Sequence, residues 1–62
     1  MRTYGEIAGV SFNRLRWSVY HLATEYRLYD GESTKLVYVN TMLELKEEIR
    51  NFIGEEYESE EG

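Results

Sequence analysis

The sequence predicts a small α+β domain of element order α-α-β-β-α, closed by an acidic C-terminal tail. Three observations lead there. Phe12, Leu15, Val19 and Leu22 recur at steps of three, four and three, with Asn13, Arg14, Trp17, Tyr20 and His21 on the opposite side. Asp30-Gly31 separates two β-rich runs. Met42, Leu45, Ile49 and Phe52 form a second helical stripe behind Thr41 and Glu44.

The elements follow in order. Tyr4, Ile7 and Ala8 share one face at i, i+3, i+4 spacing, which gives a short first helix over residues 3–8. Gly9 is then its C-cap, and Ser11 the N-cap of a second helix over residues 12–22. Arg16 lies at the boundary of that helix's two faces. A competing reading makes residues 15–29 a strand, because Leu15, Trp17, Val19 and His21 also alternate. The cap at Ser11 and the clean polar face opposite the stripe favour the helix.

Residues 26–29 and 35–39 read as the two arms of a hairpin, since Asp-Gly supplies the positive φ of a tight turn. Thr41 and Glu44 have capping-box spacing and open a third helix, which Gly54 ends. Residues 1–54 thus form one domain. Residues 55–62, EEYESEEG, hold too little apolar surface to offset ordering and read as a disordered tail.

Composition bounds the function. Sixty-two residues make one domain with a small core, for which nine aromatic side chains supply much of the apolar area. The absence of cysteine excludes disulfides and thiolate metal sites. No apolar run is long enough for a membrane span, so no membrane partner is expected, and the N-terminus lacks a signal pattern. A cytoplasmic location is the default expectation. The net charge of −5 is unevenly placed. Residues 1–40 hold five basic and four acidic side chains, giving +1, and residues 41–62 hold two basic and eight acidic, giving −6. Such a split points to an acidic tail on a binding domain.

Gly9-Val10-Ser11, followed by Leu15-Arg16-Trp17, resembles the turn and recognition helix of MerR-type domains. Glu25-Tyr26-Arg27-Leu28-Tyr29 resembles the wing strand of the same family, and the strand-turn-strand-helix ending resembles phage and transposon excisionases. The resemblance covers residues 3–53. It implies a winged helix-turn-helix, with the second helix in the major groove of double-stranded DNA and the hairpin wing on the adjacent backbone. It also implies phosphate contacts for Arg16 and Arg27. The short first helix and the lack of a dimerisation helix, an effector domain or a cysteine set favour an excisionase-like or architectural factor over a metal-responsive regulator.

The expected DNA-binding set is Ser11, Asn13, Arg14, Arg16, Trp17, Tyr20, Arg27 and Lys35. Arginine suits phosphate because its planar fork donates in pairs, and Arg14 also suits a guanine edge. Asn13 suits adenine. Trp17 and Tyr20 suit sugar-phosphate or a thymine methyl, although Trp17 serves equally well as core against the wing.

No catalytic constellation is expected. Ser18, His21 and Asp30 have no spacing that brings them together, and one histidine makes no metal site. No cofactor is expected. The expected partners are double-stranded DNA and further copies of the chain bound cooperatively on it, in a transcriptional or recombination role. The alternative is a small inhibitor whose acidic last third mimics nucleic acid and engages a protein partner.

Overall fold

The computed structural model describes the backbone of residues 2–61 and the side chains through Gly54. The order is β1 (Tyr4–Ile7), β2 (Val10–Ser18), β3 (Ala23–Tyr29), β4 (Thr34–Val39) and α1 (Met42–Glu61). This β-β-β-β-α chain overturns the expected α-α-β-β-α winged helix-turn-helix. Residues 3–8 and 12–22 are strand and turn, so there is no recognition helix. All four strands form one antiparallel sheet in sequence order.

The two glycine-containing turns explain much of the register. Ile7 pairs with Val10, leaving Ala8 and Gly9 as a two-residue connection with φ of 53° and 82°. Positive φ at both central positions defines a type I′ turn, whose twist matches that of the flanking strands. Gly9 therefore supplies the positive φ expected of a helix C-cap, but in a hairpin. At the same end of the sheet, beside that turn, Asp30 Oδ1 accepts from the backbone N–H groups of Glu32 (2.9 Å) and Ser33 (2.8 Å). With Gly31 at φ 108°, this closes the β3–β4 hairpin where the sequence placed it.

The β2–β3 connection, residues 19–22, contains no glycine, proline, asparagine or aspartate. Leu22 adopts φ of 54°, a conformation that bulky side chains rarely take. Side chains hold the turn instead. Ser18 Oγ lies 2.8 Å from His21 Nδ1 and accepts from the His21 N–H at 3.3 Å. Asn40 Nδ2 donates to the Leu22 carbonyl at 3.1 Å.

Alternation along the strands divides the sheet into two faces. Val10, Phe12, Tyr26, Leu28, Val37 and Val39 point to α1, which covers them with Leu45, Ile49 and Phe52. The Phe12 and Tyr26 rings meet at 6.0 Å and 60°. Tyr26 is fully buried, and its hydroxyl donates to the Arg2 carbonyl. Gly5 lies across from Phe12, close enough that the ring rests on its backbone.

The expected buried stripe on residues 12–22 fails for the same reason. Phe12 is core, but Leu15, Val19 and Leu22 are exposed, because the chain turns at 19–22 rather than continuing around a helix. The register slips between Arg14 and Arg16, leaving Leu15 as a bulge. Ser11, expected as an N-cap, is an exposed strand residue.

The third helix starts as expected. Glu44 N–H donates to Thr41 Oγ1 (3.1 Å), while Thr41 N–H donates back to Glu44 Oε1 (3.2 Å), a closed capping box. Its backbone passes through Gly54 to Glu61 rather than ending there. The side chains of 55–62, where the acidic tail was expected, lie outside the described residues.

Candidate nucleic-acid interface

The face opposite α1 is built from three rows of cross-strand neighbours. In the central row Tyr4 pairs with Asn13, Asn13 with Arg27, and Arg27 with Leu36, so four consecutive strands each contribute one side chain. The second row is Glu6, Ser11, Tyr29 and Thr34. The third is Arg16, Glu25 and Tyr38. Directly opposed residues have Cβ atoms only about 5 Å apart, so each row is a contiguous strip.

The first two rows enclose a depression of about 730 Å³, walled by Tyr4 and Tyr29 and floored by Ser11, Asn13 and Arg27. Tyr4 is 74% exposed and Tyr29 46%. The Tyr29 hydroxyl donates to the Gly31 carbonyl at 2.9 Å, which fixes its ring. One strand separates the two tyrosines laterally, about 10 Å, and they stand two residues apart along the strands, about 7 Å more, so each ring offers its own stacking surface to a separate base.

The third row is a closed polar network. Arg16 Nε donates to Glu25 Oε1 at 2.9 Å, and the Tyr38 hydroxyl donates to Glu25 Oε2 at 2.9 Å. The His21 ring stacks on Tyr38 at 3.6 Å, nearly parallel. Hydrogen bonds from Arg16 and then from Tyr38 hold the Glu25 carboxyl below the usual glutamate range. The same bond raises the Tyr38 phenol, because the carboxylate favours its protonated form. The network joins β2, β3, β4 and the 19–22 turn, so its first task is to brace the sheet.

The expected DNA-binding residues separate into three places. Ser11, Asn13, Arg16 and Arg27 share the face opposite α1. Arg14, Trp17 and Lys35 fall on the α1 side by alternation, since their register partners Tyr26, Thr24 and Leu28 point there. Tyr20, 94% exposed, sits at the hairpin tip. Sequence reading missed Tyr4, Tyr29, Leu36 and Tyr38. Their signal was available: the Asp30-Gly31 turn pairs Tyr29 with Thr34, and alternation from there places Arg27, Leu36 and Tyr38 on one face.

Among the described residues no group of three potential ligands is placed to hold a metal ion, and no helix is long and apolar enough to cross a membrane. No protein-family model, curated protein or solved structure matches the chain.

Proposed function

We propose that the protein binds nucleic acid through the sheet face opposite α1, and takes single strands in preference to duplex. The observation that carries this reading is the row Tyr4–Asn13–Arg27–Leu36 with Tyr29 beside it. Together they form an exposed aromatic and basic platform on a rigid antiparallel sheet. Bases stack on aromatic side chains with little regard for sequence, while arginine engages the phosphates or stacks in turn.

Charge supports the preference for single strands. Arg16 and Arg27 on this face stand against Glu6 and Glu25, so phosphate neutralisation alone gives weak binding. Duplex hides its ring faces from Tyr4 and Tyr29, whereas a single strand presents them.

The test is fluorescence anisotropy of labelled single-stranded and duplex oligonucleotides at low salt. Single strands should bind more tightly. Tyr29→Ala and Tyr4→Ala should each weaken binding by about fivefold or more, the cost of one lost stacking contact. Arg27→Ala should weaken binding and flatten its salt dependence. Absence of binding at low salt, or equal binding by the Tyr4 and Tyr29 variants, would refute the proposal.

A further inference from the structure

The β2–β3 hairpin end, residues 14–22, is a second surface with different chemistry. Trp17 is 52% exposed, Val19 69%, Tyr20 94% and Leu22 68%. Four large apolar side chains at one tip are more than isolated surface hydrophobes, and such clusters mark contact sites. From residue 7 to residue 24 the chain contains no acidic residue, and Arg14, Arg16 and His21 are its basic side chains there. Glu25, directly opposite Arg16, offsets that charge through their 2.9 Å ion pair, so Arg14 carries the net positive charge of this end.

We propose that this tip is a docking site for an anionic phospholipid surface, into which it inserts without spanning. The order of chemistry along the hairpin carries the inference. Val19, Tyr20 and Leu22 form the extremity. Trp17 lies two residues back, about 7 Å along an extended strand, and Arg16 and Arg14 lie about 10 and 13 Å back, the bulge at Leu15 shortening the second distance. A bilayer presents the same sequence with depth: an acyl boundary reached by 5–10 Å of insertion, an interfacial belt that favours tryptophan and tyrosine, and then headgroup phosphates. Nucleic acid accounts for the arginines and rings but gives Val19 and Leu22 no apolar environment.

The rest of the fold suits this orientation. The turn is braced by Ser18, His21 and Asn40, so the apolar side chains are presented without an ordering step. Asn40 also ties the tip to the start of α1.

The test uses the full chain with vesicles of phosphatidylcholine, with and without phosphatidylglycerol. Co-sedimentation and the emission of Trp17, the single tryptophan, are the readouts. The protein should sediment with the phosphatidylglycerol vesicles, with a blue shift of Trp17, and bind phosphatidylcholine vesicles weakly. Val19→Ser and Leu22→Gly should each reduce vesicle partitioning by about tenfold or more. Glycine at 22 relieves a left-handed leucine, so Leu22→Gly should melt no lower than the parent, and lost binding cannot be put down to unfolding. Arg27→Ala, altered only on the sheet face, should bind vesicles normally. Absence of sedimentation with anionic vesicles would overturn the proposal, as would parental binding by Val19→Ser and Leu22→Gly. A Trp17 shift that tracks protein concentration without vesicles would assign the tip to a second copy of the chain and overturn it equally.

Discussion

Gly5→Ala is the substitution whose effect follows most directly from the packing of the sheet on α1. A Cβ built at residue 5 stands 2.8 Å from Phe12 Cζ and 3.1 Å from Cε2. Carbon atoms in contact prefer about 3.5 Å or more, so the ring must retreat by about 0.7 Å. It has little room. Phe12 is 2% exposed and packs on Tyr26, which is fully buried. Overpacking of this kind costs about 1–3 kcal/mol, partly offset by the 0.5–1 kcal/mol that alanine gains over glycine within a strand. The two ranges leave a net loss of about 0–2.5 kcal/mol, centred near 1 kcal/mol. For a domain of this size the central value lowers the melting temperature by roughly 4–8 °C.

Thermal and urea unfolding followed by circular dichroism read this loss. A double-mutant cycle with Phe12→Leu isolates its cause. Leucine lacks the far edge of the ring, so Gly5→Ala should cost less in the Phe12→Leu background, with a coupling of at least about 0.5 kcal/mol. If Gly5→Ala raised stability, the reasoning would fail. Strict additivity with Phe12→Leu would show that any loss came from another source.

Ala8→Asn should stabilise the protein by about 1 kcal/mol in the same melts, because it turns Ala8-Gly9 into the Asn-Gly pair that type I′ turns favour and relieves alanine of positive φ; a destabilised variant would contradict the turn assignment. The Glu25 network predicts an acid limb. Its carboxyl is held below its ordinary value in the folded state, so its contribution to stability is present above the unfolded value and disappears as pH falls through the folded one. Glu25→Gln should flatten stability against pH across that window, and an unchanged acid limb in the variant would show that Glu25 plays no part in it.

The C-terminal half of the fold was legible because its signals are local and unambiguous. Asp30-Gly31 marks a tight turn, and Thr41 with Glu44 marks a helix start; the hydrogen bonds at both places are those the residues imply. The N-terminal half was misread where one signal has two meanings. Gly9 has positive φ in either a helix C-cap or a type I′ turn. Residues 12–22 satisfy a helical period through Phe12, Leu15, Val19 and Leu22 and a strand period through Leu15, Trp17 and Val19.

Two further features hid the strands. The bulge at Leu15 shifts the alternation, so Phe12 and Arg14 fall on one face and Arg16 on the other. The turn at 19–22 uses no turn-forming residue and relies on Ser18, His21 and Asn40. The candidate site was half legible as a result. Ser11, Asn13, Arg16 and Arg27 read as contact residues from the sequence, but on a helix and a wing. Their gathering with Tyr4, Tyr29 and Leu36 is a property of strand register, which only pairing partners distant in sequence decide.

The central claim is that the sheet face opposite α1 receives a single-stranded nucleic acid. The most direct measurement is amide and side-chain chemical-shift mapping of the isotopically labelled protein during titration with a short single-stranded oligonucleotide. Perturbations should centre on Tyr4, Asn13, Arg27, Tyr29 and Leu36, with the exposed side of α1 unaffected. Perturbations confined to α1 or to the 19–22 turn, or none at saturating oligonucleotide, would contradict it.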